Sequence, residues 1–321
     1  MKVLVTGGAG YIGSHVVIEL CEAGYDVVVF DDLSLGHREN VDHRAIFIKG
    51  STLNDDSLAT AFLEKPDAVI HLAAWKAAGE SMTDPGKYAQ NNIIGTINLL
   101  NAMCRFDVKT FVFSSTAAVY GYPQYLPVDE KHPVNPINYY GYTKLVIEEN
   151  LKWYSELKGI RFAALRYFNA AGYDIHGRVR HRERNPQNLL PIVMEIASGE
   201  RKHLDIYGND YDTPDGTGVR DYIHVNDLAS AHVQALKYLK DKCINLTVNL
   251  ATGVGYSVLD VAYETESVTG QRIPYNIVDR RPGDPAELIA VSKEAEKILN
   301  WQPRYSDLTT LLKTMWTLYS S

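Results

Sequence analysis

Cysteine is scarce in this chain: Cys21, Cys104 and Cys243 are the only three among 321 residues, widely spaced and with no CxxC pair. That excludes a disulfide framework and a thiolate metal knuckle, and it fits idle thiols in a reducing compartment. A basic excess is missing too. Thirty-two Lys and Arg against 39 Asp and Glu give a formal net charge of -7, whereas a nucleic-acid binder carries a basic face. No apolar run approaches the roughly 20 residues that a bilayer span needs. Met1–Val5 runs straight into glycines, without the apolar stretch or cleavage site of a secretory leader. There is no repeat, low-complexity tract or Pro/Ser linker. No nucleic acid, membrane or metal is therefore expected, and a cytoplasmic protein is. What is present is an ordinary globular balance, 45% hydrophobic and 22% charged, long enough for a sizeable core.

The first half alternates short apolar runs with helical patterns. Val3–Val5, Asp26–Phe30, Ala68–Leu72, Thr110–Phe113 and Arg161–Leu165 read as strands; Ser14–Ala23, Asn91–Met103 and Tyr140–Leu157 read as helices. Continuous apolar strands alternating with helices predict a parallel sheet covered on both faces. After about Phe168 the texture changes. Asn169–Asn185 is polar and holds six Arg and His residues between His176 and Arg184. Helical patterns return at Asn188–Ser198, Asp227–Leu239 and Val258–Thr269, around a turn-rich Asp210–Gly218. A small second domain packed tightly on the first is expected.

Gly7, Gly10 and Gly13 sit between the first strand and the first helix. Glycine lets a backbone turn tightly and approach a pyrophosphate, and the helix N-terminus supplies N–H donors and a positive dipole. The spacing is G-x-x-G-x-x-G, one residue longer than the common dehydrogenase fingerprint. Asp31 follows the second strand, 18 positions after Gly13. A carboxylate there accepts from both ribose hydroxyls and repels a 2′-phosphate, which favours NAD over NADP. Asp32 could share or compete for that role, and Arg38 and Lys49 lie near in sequence.

Tyr140 and Lys144 stand one helical turn apart. Tyrosine titrates near pH 10 in water, and a neighbouring ammonium favours its phenolate and lowers that value. Such a tyrosine takes a proton from a hydroxyl as hydride leaves for nicotinamide. Ser114-Ser115-Thr116, at the end of a strand, offers a hydroxyl to relay the proton.

Longer stretches carry a resemblance over nearly the whole chain: TGGAGYIGSH (6–15), HLAAWKAAGES (71–81), SSTAAVYG (114–121), YYGYTK (139–144), LRYFNAAG (165–172), GTGVRDYIHVNDLA (216–229) and RRPGD (280–284). With them the chain resembles the extended short-chain dehydrogenase/reductases, and among these the UDP-galactose (UDP-glucose) 4-epimerases. The resemblance implies a Rossmann-type doubly wound parallel sheet over residues 1–168 and a smaller mixed α/β substrate domain over 169–321, some of whose segments return to the first domain. It implies tightly bound NAD in contact with Gly7, Gly10, Tyr11, Ile12, Gly13, Asp31, Asp32, Ser51 and Thr52. Lys76 would reach the pyrophosphate and the substrate, and Asn91 would order the loops beside the cofactor. Tyr140 would be the base, Lys144 would bind the nicotinamide ribose, and Thr116 would be the relay. For the substrate, UDP-galactose or UDP-glucose, Asn169, Asn188 and the adjoining Leu189 would hold sugar and phosphate groups. Arg220 and Arg281 would clamp the diphosphate, Asp284 the uridine ribose, and Tyr207 would lie against uracil. The implied reaction oxidises C4, turns the 4-keto sugar over and returns hydride to the opposite face. A homodimer through the helices at Asn91–Met103 and Tyr140–Leu157 is implied as well.

The chain departs from that pattern at four places. Thr116 stands where serine is frequent, Tyr139 where proline often precedes the tyrosine, and Gly50-Ser51-Thr52 replaces Gly-Asp-Ile, removing a carboxylate from the adenine site. The loop Asp174–Asn185 differs in length and is markedly basic. Two other activities come into view. Ala117-Ala118 after Thr116 lack the Asp-Glu pair of a 4,6-dehydratase. A uronic-acid epimerase would want an extra cation, which the Arg178–Arg184 cluster could offer. A catalytically silent NAD sensor should have lost Tyr140 or Lys144. Leu288 falls at the group's gate position; its intermediate bulk predicts that N-acetylated UDP-sugars are poor substrates.

Overall fold

The computed structural model describes every residue except Asn185, Pro282, Gly283 and Ser321. The last residue of the basic loop and the middle of the RRPGD stretch thus lie outside the described residues. The chain runs β1 (Lys2–Thr6), α1 (Tyr11–Glu22), β2 (Asp26–Asp31), β3 (Ile46–Lys49), α2 (Asp55–Leu63), β4 (Ala68–His71), α3 (Ala78–Thr83), α4 (Pro85–Tyr88), α5 (Gly95–Arg105), β5 (Thr110–Thr116), α6 (Tyr139–Lys158) and β6 (Arg161–Tyr167). It continues with β7 (Asn169–Ala171), α7 (Leu189–Ala197), β8 (Leu204–Tyr207), β9 (Val219–His224), α8 (Val225–Lys242), β10 (Leu246–Leu250), β11 (Gly255–Ser257), α9 (Val258–Thr269), β12 (Tyr275–Val278), β13 (Glu287–Leu288), α10 (Lys293–Leu299) and α11 (Leu308–Tyr319).

Seven strands form one parallel sheet in the order β3-β2-β1-β4-β5-β6-β10, a Rossmann-type doubly wound arrangement. Its continuous apolar strands are explained by burial on both faces. Because side chains alternate along a strand, Val3, Val5, Val27 and Val29 pack with Val16, Val17 and Leu20 of α1 and with α8. Leu4, Val28 and Phe30 pack on the other face with Leu58 and Phe62 of α2, Leu99 and Leu100 of α5 and Ile147 of α6. Burying each such side chain contributes about 1.5–3 kcal/mol. The winding reverses between β1 and β4, so a crevice opens beyond their C-terminal ends.

The second half of the chain supplies two kinds of structure. Residues 225–250 rejoin the large sheet: β10 pairs with β6, and α8 packs beside α1. The remainder builds the four strands β7, β9, β11 and β13, the pair β8–β12, and a separate core in which Val193 and Met194 of α7 meet Val261 of α9 and Leu311, Leu312 and Met315 of α11.

Candidate active site

The turn between β1 and α1 forms the floor of a deep cleft. Gly7 has φ +73°, and a Cβ there would press on the Ala73 backbone; a Cβ on Gly13 would overlap the Gly7 carbonyl oxygen. Only glycine permits that approach. Gly10 caps α1 without a side-chain hydrogen bond, so the first helical N–H groups face the cleft with the positive end of the helix dipole. Asp31 closes the turn from the end of β2, its carboxylate accepting from Ala9 N–H (3.0 Å) and Leu33 N–H (2.8 Å). Burial pushes its carboxyl up, and those two donors pull against that. A glycine cradle, a helix N-terminus and a carboxylate at the end of β2 fit a dinucleotide.

Gly7, Gly10, Tyr11, Ile12, Gly13, Asp31, Asp32, Ser51, Thr52, Lys76, Asn91, Tyr140 and Lys144 all line this cleft. Sequence reasoning missed other lining residues, among them Ser34, Leu35, Gly36, Trp75, Tyr167 and Glu183. Asn91, the asparagine expected to order the loops, donates to Asn92 Oδ1 at 3.2 Å. Asn91 faces the cleft, while the buried Asn92 holds the Trp75 loop, accepting from Trp75 N–H (2.9 Å) and donating to its carbonyl (2.9 Å) and to Thr143 Oγ1 (3.2 Å). Adjacent asparagines carry no signal that separates the two. Ser51 turns its hydroxyl to its own loop, accepting from Leu53 N–H at 3.3 Å.

At the inner end of the cleft the three consecutive hydroxyls have separate partners. Ser114 Oγ hydrogen-bonds the Tyr167 hydroxyl. Ser115 Oγ donates to Glu148 Oε1 (2.5 Å), which also accepts from Arg166 Nε (2.9 Å); that triad is structural. Thr116 Oγ1 accepts from Ala118 N–H (3.2 Å) and lies close enough to the Tyr140 phenol to favour its ionised form. Lys144 Nζ donates to the Ser114 carbonyl (2.8 Å) and lies 5.9 Å from the Tyr140 ring centroid.

The electrostatics differ from the expectation that Lys144 draws Tyr140 down. Burial pushes the phenol up to about 12, with only the neighbouring Thr116 hydroxyl opposing it. Burial pushes the Lys144 ammonium down to about 7. Desolvation disfavours both charged forms, and the ammonium is turned to a carbonyl rather than to the phenol. In the pair alone, burial favours the neutral phenol and weakens the hold of Lys144 on its proton.

The substrate residues expected on the second half lie outside the cofactor cleft, whereas Lys76 and Tyr140 line it. Arg220 of β9 pairs with Asp284 and donates to the Val219 carbonyl (2.7 Å). The Arg281 guanidinium sits 3.6 Å above the Tyr207 ring at the end of β8. Asn169 of β7 donates to the Asp221 carbonyl (2.9 Å). Asn188 caps α7 without a side-chain bond, and Leu189 packs against the core beneath that helix. Leu288, in β13 opposite Arg220, packs with Ala117, Tyr120 and Phe168. Two arginines, an aromatic ring and a carboxylate, shared between the four-stranded sheet and the β8–β12 pair, suit a nucleoside diphosphate. The arginines of the basic loop do not join them: Arg178 pairs with Asp174 and Glu22, Arg182 with Glu200, and Arg184 donates to His37.

Fold and site together define a dinucleotide-binding chain with a buried tyrosine–lysine pair in the cleft. It belongs to the NAD dependent epimerase/dehydratase family, whose model matches residues 3–251. UDP-glucose 4-epimerase of Lacticaseibacillus casei is 45% identical over 322 residues, covering 100% of this chain and 97% of that protein. The structure of UDP-glucose 4-epimerase from Brucella ovis in complex with NAD superposes with TM-score 0.96 at 44% identity, over 99% of this chain and 98% of the other. That of the Stenotrophomonas maltophila enzyme, with bound NAD and formylated UDP-arabinopyranose, gives 0.95 at 40% identity, over 100% and 98%. Among the described residues no helix is long and apolar enough to cross a membrane, and no group of three or more His, Cys, Asp or Glu is placed to hold a metal.

Proposed function

We propose that this chain interconverts UDP-galactose and UDP-glucose with NAD as a resident cofactor, serving galactose metabolism in the cytoplasm. The observation that carries this reading is the Tyr140–Lys144 pair at the inner end of a glycine-floored cleft, with Thr116 beside the phenol, in a chain 45% identical to a UDP-glucose 4-epimerase along its whole length. The division of labour follows residues 1–168, which seat the cofactor, and 169–321, which seat the UDP-sugar while 225–250 complete the large sheet.

Gly7, Gly10, Tyr11, Ile12, Gly13, Asp31, Asp32, Ser51, Thr52, Lys76 and Asn91 would hold NAD, with Lys144 at its nicotinamide ribose. Bound NAD supplies the acceptor and donor of the C4 hydride and a cationic ring. Beside that charge Tyr140 gives up its phenolic proton more readily, takes the proton of the C4 hydroxyl and later returns one. Thr116 holds the proton in line between sugar and phenol; its hydroxyl is what the step needs, so threonine serves as serine does. Arg220 and Arg281 release Asp284 and Tyr207 to take the diphosphate, Asp284 then meets the uridine ribose, and Tyr207 stacks on uracil. Lys76, Asn169, Asn188 and Leu189 border sugar and phosphates. The nucleotide end stays fixed while the 4-keto sugar turns over.

The uronic-acid alternative is weakened because Arg178, Arg182 and Arg184 have carboxylate and histidine partners, which leaves the exposed Arg180 as the loop's remaining cation. Leu288 supports a preference against N-acetylated sugars. A homodimer is supported by an exposed apolar stripe on α6, where Tyr142, Trp153 and Leu157 lie on one face beside exposed Ile94.

The test is conversion of UDP-galactose by purified protein, with and without added NAD. Turnover without added NAD is the expected result, and Tyr140→Phe is expected to lower it by about 10²–10⁴-fold while NAD stays bound. No turnover under either condition would defeat the reading.

A further inference from the structure

The basic loop after β7 is held more firmly than its polar composition implies. At its start Asp174 accepts from the N–H groups of His176 (3.2 Å) and Arg178 (2.9 Å), from Arg178 Nε (2.9 Å) and Nη2 (2.7 Å), and from Asn226 Nδ2 (3.2 Å). Burial pushes this carboxyl up, but those donors more than reverse it and hold it well below the usual carboxylate range. The loop then crosses to the cofactor-binding half. There Asn40, only 5% exposed, accepts from the N–H groups of Arg180 (3.2 Å) and His181 (2.9 Å) and donates to the His181 carbonyl (2.8 Å). The His37 and His181 rings stack at 5.1 Å, and Arg184 Nε donates to His37 (3.4 Å). Between those contacts the chain dips back to the cleft. Glu183 N–H donates to the buried Tyr173 hydroxyl (2.9 Å), and its carboxylate pairs with Lys76, whose ammonium lies 5.6 Å from the Tyr11 ring centroid.

Both attachments touch the cleft. Lys76, Tyr11 and Glu183 line it directly. His37 adjoins the lining residues Ser34–Gly36 and donates to the Ala9 carbonyl of the glycine turn (2.9 Å). A lysine on its flexible stem has many rotamers, and a neighbouring carboxylate with a fixed backbone removes most of them before any ligand arrives. The buried side-chain amide of Asn40 makes its hydrogen bonds to the loop.

We propose that residues 174–184 are a strap belonging to the cofactor site: fastened by Asn40, it positions Lys76 through Glu183 and sets how slowly a dinucleotide leaves. Asn40 and Glu183 are positioning residues. The inference rests on the NAD reading above and deepens it.

The experiment compares NAD-loaded wild type, Asn40→Ala, Glu183→Ala and Glu183→Gln. It measures NAD still bound at intervals after desalting, and the rate of tryptic cleavage at Arg178–Arg184. Asn40→Ala should speed strap cleavage and release NAD about tenfold faster, as expected for losing the hydrogen bonds that hold two part-buried backbone donors. Glu183→Ala should also release NAD faster, with Glu183→Gln partly restoring retention because it keeps a hydrogen-bonding partner for Lys76. Added NAD in excess should restore the turnover ceiling of both alanine variants. Retention equal to wild type in Asn40→Ala, whether or not its strap is cut faster, would overturn the proposal. So would slower release from Glu183→Ala, which would mark the carboxylate as a competitor of the pyrophosphate. If wild type binds no NAD, the cofactor reading fails and the strap falls with it; equal NAD retention in all four proteins sinks the strap alone.

Discussion

Lys144 is buried at a cost to the fold. An ammonium with one carbonyl partner, buried and pushed down to about 7, is destabilised relative to its value near 10.4 in the unfolded chain. Below pH 7 both states carry the proton and the cost is fully present. Between 7 and about 10.4 the unfolded chain binds more protons, so stability rises with pH. Lys144→Met should therefore abolish turnover yet raise the melting temperature of the NAD-free protein, with a gain that is largest at or below pH 7 and shrinks toward pH 10. Thermal unfolding of the pair across that range checks it; a variant less stable at pH 6 than wild type would contradict it. Residues whose type is dictated by local geometry were legible in the sequence: the glycines because a Cβ would collide, Asp31 because it ends a strand. Asn92 and Glu183 were not legible. Their partners, Trp75 and Lys76, are chosen by the folded chain and leave no mark in local spacing.

Among the elements, the turn from β1 to α1 is the least forgiving. Gly13→Ala would drive a methyl into the Gly7 carbonyl oxygen, and a clash of that kind costs about 1–3 kcal/mol. NAD affinity should fall by roughly tenfold to a hundredfold, measured by titration of the NAD-free protein, while secondary structure by circular dichroism is unchanged. Unaltered affinity would mean that the turn does not approach the cofactor closely. Strands with continuous apolar runs, such as Val27–Phe30, could be read directly. β3 could not, because it is a four-residue edge strand with exposed ends. Nor could β10, where Thr247 and Asn249 interrupt the pattern; Asn249 is buried and accepts from the Tyr120 hydroxyl at 2.6 Å. A buried polar side chain with a distant partner defeats a rule based on hydrophobic periodicity.

For the whole molecule, α6 carries an exposed apolar stripe in which Trp153 and Leu157 are 61% and 67% exposed. If α5 and α6 pack against a second copy, Leu157→Glu should shift the protein from dimer to monomer in sedimentation velocity; identical sedimentation of both proteins would place the contact elsewhere or remove it. The parts described at smaller scales converge on one event, inversion at C4 of a UDP-sugar. The most direct test follows UDP-galactose carrying deuterium at C4 through conversion in ordinary water. The account predicts UDP-glucose with the deuterium still at C4, since the hydrogen leaves and returns within the cleft. Product that has exchanged its C4 deuterium for solvent hydrogen, or no product, would contradict it.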